Sequence, residues 1–75
     1  MSAIYSYDVT VVSHQNASMT MHVKASTEAE ALFQAGRQFD RIHYDDSGVY
    51  SRHEQVLCST ITRERVSHLT VTRTD

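Results

Sequence analysis

Five histidines (His14, His22, His43, His53 and His68), one cysteine (Cys58) and the adjacent carboxylates Asp45 and Asp46 are the residues of this chain whose types could carry chemistry. Imidazole with carboxylate suits a transition metal, so the one metal site that can be drawn uses His43, Asp45, Asp46 and His53. No histidine pair has HExxH spacing, and a single cysteine cannot build a thiolate-rich zinc site. Aspartates also gather at turns for conformational reasons, because their side chains bond nearby backbone amides. The expectation is therefore no metal and no cofactor. There is no GxSxG stretch to expose a nucleophile. The two glycines, Gly36 and Gly48, supply neither a phosphate-cradling loop nor a dinucleotide fingerprint. With 75 residues there is little material for a cleft that excludes water, and the chain reads as non-catalytic.

Size and charge narrow the remaining classes. Seventy-five residues make one domain, spanning 1–75, near the lower limit at which a single core is stable without help. Seven basic and nine acidic residues leave a net charge of −2, spread along the sequence rather than gathered in a stripe, which disfavours nucleic acid as a partner. The lone Cys58 excludes an internal disulfide and reads as an inert, partly buried strand residue. No apolar run is long enough for a membrane span, and the start "MSAIYSYD" lacks the basic and apolar regions of a signal peptide, so the cytoplasm is the expected compartment.

The elements that must hold any functional residues follow from hydrophobic periodicity. "IYSYDVTVV" alternates, with Tyr5, Tyr7, Val9 and Val11 on one face. After the polar turn "SHQNAS", "MTMHVKA" alternates with Met19, Met21, Val23 and Ala25, and the two form a hairpin with matched faces. Thr27 and Glu30 have the spacing of a capping box, and Ala29, Leu32, Phe33, Gly36 and Phe39 then make an apolar stripe that predicts a helix over 28–41. Gly36 inside that stripe implies close approach of the helix to the sheet. "EQVLCSTIT" reads as a third strand and "VSHLTVTRT" as a fourth, turned at "RER", with Leu57, Ile61, Leu69 and Val71 added to the core. The expected fold is α+β with the order β-β-α-β-β: a four-stranded, mainly antiparallel sheet with one helix on one face.

Binding is what remains. The long connection "IHYDDSGVYSRHEQ" between the helix and the third strand holds Tyr44, Asp45, Asp46, Tyr50 and Arg52. Tyrosine and arginine dominate interface hot spots, and the two aspartates would add an acidic contact for a basic partner, so these five are the expected partner-binding residues. The partner is another protein. An uncovered four-stranded sheet also invites a second copy, through its open face or an edge. The alternatives are a nucleic-acid-binding module using Arg63 and Arg65, and a structural subunit of a self-assembled complex.

The stretch "VKASTEAEALFQAGRQFD" behind a short strand resembles the strand-to-helix junction of small phage-encoded accessory proteins, including anti-CRISPR inhibitors with one helix on an antiparallel sheet. The likeness covers residues 17–41. It implies a viral protein that occludes a host defence or nucleic-acid-handling protein stoichiometrically. It transfers no binding residue.

Overall fold

The computed structural model describes residues 3–75. Strand β1 (Tyr5–Ser13) and strand β2 (Ser18–Ala25) form the hairpin, with Tyr5 opposite Ala25 and Val11 opposite Met19. Asn16, at a φ of 67°, takes the left-handed turn position that asparagine tolerates, and the Ser13 hydroxyl accepts from the Ala17 amide at 3.0 Å to close the turn. Helix α1 (Glu28–His43) starts where the capping box places it. The Thr27 hydroxyl accepts from the Glu30 amide at 3.1 Å, and the Glu30 carboxylate reaches back to Ser26.

The second half of the chain departs from the expected order. "EQVLCSTIT" is not a strand but lies within a second helix, α2 (Arg52–Glu64). The four-stranded, one-helix fold is therefore overturned: the molecule has three strands and two helices, in the order β-β-α-α-β. Two forces outweigh the strand propensity of Val56, Thr60, Ile61 and Thr62. Ser51 and Glu54 repeat the capping box, with the Ser51 hydroxyl accepting from the Glu54 amide at 3.2 Å. Leu57, Cys58 and Ile61 also fall at helical spacing and put one apolar side against α1 and the sheet. The threonine hydroxyls at 60 and 62 donate to the carbonyls of Val56 and Cys58 four residues back, which satisfies them inside a helix.

With no strand beside it in sequence, strand β3 (Val66–Arg73) pairs antiparallel with β1, and the sheet order is β2-β1-β3. Arg65, at a φ of 69°, turns the chain out of α2 into β3. A register shift at Val12 and Ser13 then sets Val66 opposite Ser13, so Val66 shares the helix-side face with Leu69 and Val71.

The core lies between the sheet and the two helices. Val9, Ala25, Ala31, Cys58 and Ile61 have no exposed surface, and Tyr7, Met21, Ala35 and Ile42 are nearly as deep. Small side chains at Ala31 and Ala35, one helical turn apart, are what let α1 lie close to the strands. Gly36 has no such role: a Cβ built there would meet nothing within 4 Å. Cys58 is buried in α2, not in a strand, and its thiol donates to the Met19 sulfur at 3.7 Å. Leu69, expected in the core, is 51% exposed. The helices cover β2 and β1 and leave most of β3 bare.

These observations set opposite signs for two substitutions. Ile61→Ala is expected to lower unfolding stability by about 2–4 kcal/mol through a cavity between three elements. Gly36→Ala, at a helical position with open space, is expected to raise it by about 0.5–1 kcal/mol. Urea denaturation at unchanged slope measures both.

Candidate functional site

The five residues expected to bind a partner all lie in or beside the connection 44–51 that joins the helices, yet they do not form one surface. Tyr44 caps α1, stacks on His43 at 4.5 Å between ring centres and is 75% exposed. Asp45 is occupied by the loop itself: its carboxylate accepts from the Ser47 amide at 3.1 Å, the Tyr50 amide at 3.2 Å and the Ser47 hydroxyl. The Gln55 side-chain amide donates to the Asp45 carbonyl, which ties the loop to α2. Gly48, at a φ of 81°, makes the turn between these anchors. Tyr50 is half-buried against the core. Asp46 and Arg52 are exposed, and Arg52 faces the outer side of α2 near Val56 and Arg63. His43, His53, Asp45 and Asp46 do not converge, and among the described residues no three histidine, cysteine or acidic side chains are grouped to hold a metal.

Hydrogen bonding holds the Asp45 carboxyl below its ordinary value of 3.8, first through the Ser47 hydroxyl and then through the Tyr50 and Ser47 amides. Burial pushes the Cys58 thiol upward, and the charges of Glu54 and Asp40 add to that shift. Cys58 is therefore a protonated core side chain at neutral pH rather than a nucleophile.

Two concave surfaces that the sequence did not announce are built by the fold. The first is an apolar groove of about 310 Å³ between α1 and β3. Its floor is Val9, Val11 and Met21, one wall is Leu32, Ala35, Gly36 and Phe39, and the other is Val66 and Leu69. Val66 is 47% exposed, and beyond the α1 wall Phe33 is 65% exposed with the Arg37 guanidinium over its ring, 5.9 Å from the centroid. The groove exists because β3 joins the sheet where no helix covers it. A trace was visible in sequence, since the apolar stripe of α1 takes in both Leu32 and Phe33, wider than one seam needs.

The second surface is polar. Lys24 from β2 and Arg37 and Arg41, one turn apart on α1, line a cleft with Gln34, Gln38, His22 and Tyr50. None of these three cations makes an ion pair among the described residues. Lys24 lies well before Arg37 and Arg41 in sequence, and no two of the three are adjacent, which is why a scan for basic runs passes over them. On the other face of the sheet, Thr10 bonds Thr20 hydroxyl to hydroxyl at 2.8 Å, and Asp8 pairs with His22. No helix of the structure is long and apolar enough to cross a membrane, among the described residues.

Cys58 is expected to resist a thiol-specific disulfide reagent in the folded protein and to react at once in denaturant. Fast labelling without denaturant would contradict its burial. For Asp45 the sign follows from a folded-state value below the unfolded one. Its contribution to loop order is present above the ordinary carboxylate range and is lost as pH falls through the depressed folded value. A carboxyl titration followed by NMR is expected to show Asp45 protonating at lower pH than in the unfolded chain, with the Tyr50 amide shift moving in step. No protein-family model matches the chain, and comparisons with curated proteins and with solved structures yield no match.

Proposed function

We propose that this is a non-catalytic protein-binding module that receives a partner in the apolar groove between α1 and β3. The observation that carries the reading is the groove with its rim: Leu69 and Val66 half-exposed on a bare strand, facing Leu32 and Phe39, with Phe33 exposed beside them. A small monomeric domain gains nothing from leaving such side chains in water, because each buried apolar side chain is worth about 1.5–3 kcal/mol. Contiguous apolar surface next to an open strand edge is the usual mark of an interaction site. The stoichiometric-inhibitor form of this reading rests on the phage-protein resemblance of residues 17–41 alone. Tyr44 and Arg52, exposed on either side of the connection 44–51, are each available to a partner besides the groove.

Binding of nucleic acid is a second reading, favoured by Lys24, Arg37 and Arg41 around one cleft, none of which makes an ion pair among the described residues. Three phosphate contacts would give a slope of about −2 to −3 in log affinity against log salt.

The test is capture by the tagged full chain from a lysate of its source cells, with and without nuclease, comparing wild type with Phe33→Ser, Leu69→Ser and Tyr44→Ala with Arg52→Ala. One stoichiometric protein that survives nuclease and is lost in both groove variants is the expected result. Loss confined to the Tyr44 and Arg52 variant would move the site to the loop. Association that disappears with nuclease and with salt would favour the basic cleft.

A further inference from the structure

We propose that a second copy of this chain occupies the free edge of β3, by antiparallel β3–β3 pairing about a two-fold axis at Thr70. This rests on the reading of the α1–β3 groove as a protein interface and names the partner that completes it.

The phase of the hydrogen bonds shows which groups are free. The Thr74 amide donates to the Ser6 carbonyl at 2.9 Å, and the register sets Asp8 opposite Thr72, Thr10 opposite Thr70 and Val12 opposite His68. In an antiparallel ladder the bonded pairs alternate, so positions 68, 70, 72 and 74 turn their main-chain groups to β1. Leu69, Val71 and Arg73 turn theirs to the outer edge, where the sheet order leaves no strand. β2 has an open edge as well, but its helix-side residues Met19, Met21, Val23 and Ala25 are already buried under its own helices. Only β3 combines free main-chain groups with apolar side chains still in water.

A two-fold arrangement centred on any residue satisfies that phase, and those centred on 69, 70 or 71 keep Leu69 and Val71 in the middle of the paired segment. Centring on Leu69 sets Val71 opposite the partner's Ser67. Centring on Val71 sets Leu69 opposite the partner's Arg73. Centring on Thr70 sets Leu69 opposite the partner's Val71 twice over. Apolar cross-strand pairing therefore chooses the register centred on Thr70. The opposite face of the sheet agrees. Thr20, Thr10 and Thr70 already form one row across three strands, and this register continues the row into the second copy, with the Thr70 side chains at the close, non-bonded position. The result is a six-stranded sheet in which the two grooves lie side by side as one trough between two α1 helices.

Sedimentation of the purified full chain tests the association, and a cysteine scan tests the register. The expected mass is twice the 8.5 kDa of the chain, falling on dilution. Thr70→Cys is expected to oxidise to a linked dimer, because Cα atoms at a non-bonded antiparallel pair lie about 4.5 Å apart, within disulfide range. His68→Cys and Thr72→Cys, exposed on the same face, are expected not to link. Leu69 and Val71 amides should be protected from exchange in concentrated solution and unprotected in dilute solution. A monomer at every concentration overturns the proposal and leaves the groove reading to the Phe33→Ser capture experiment. A dimer that links at 68 or 72 instead of 70, or leaves the Leu69 and Val71 amides unprotected, overturns it too. A Thr70-linked dimer whose capture of other proteins ignores Phe33→Ser keeps this inference and removes the groove reading.

Discussion

Everything in this molecule depends on β1 being paired on both of its edges. Its hydrogen bonds run to β2 on one side and to β3 on the other, and its alternate residues Tyr7, Val9 and Val11 form the middle of the core. Because one face of β1 must be buried, its register with each neighbour is fixed, since a slip by one residue would turn that face outward. β2 inherits its buried set of Met19, Met21 and Val23 from that register, and α1 then lies where Ala31 and Ala35 let it approach. α2 fills the remaining side of the core with Cys58 and Ile61 and ends beside β1, where the Ser13 hydroxyl donates to the Glu64 carboxylate at 2.6 Å.

The hairpin and α1 were legible in sequence because each rests on local rules: strict alternation in one case, a capping box and an apolar stripe in the other. α2 looks like a strand in sequence because its interior is rich in β-branched residues, whose preference is weak and yields to tertiary contacts. The deciding signal was present in Ser51 and Glu54, the same pattern that marked α1. A strand through Cys58 would give β3 a hairpin neighbour; with a helix there, β3 pairs with β1 alone among the described strands. The error about Leu69 followed from that: a strand with a helix above it buries its apolar face, and β3 has none.

The functional surfaces show the same division. That residues 44–51 form a connection could be read from the turn residues, and eight positions suffice where fourteen had been allotted. What Asp45 does there depends on amides two and five residues onward, which only the folded loop brings to it. The groove and the basic cleft are both products of long-range pairing. Val66 lines one groove with Val11 and Leu32, and Lys24 one cleft with Arg41, only after the chain has returned on itself. The apolar groove is the larger compromise of the two, because a 75-residue chain has few side chains to spare for surface that its own core does not use.

The pairing of Tyr7 with Arg73 also fixes the order of events when the chain is made. β1 and β2 can zip as soon as both have been synthesised, through a short turn that costs little loop entropy. The second edge of β1 has to wait until two helices and nearly the whole described sequence have followed it. In that interval the nascent protein displays Val9 and Val11 beside an unpaired strand edge, the combination that draws other chains into non-native association. Closure of the sheet by its last strand is a high-contact-order step, and it sets the pace at which this small domain escapes that exposure.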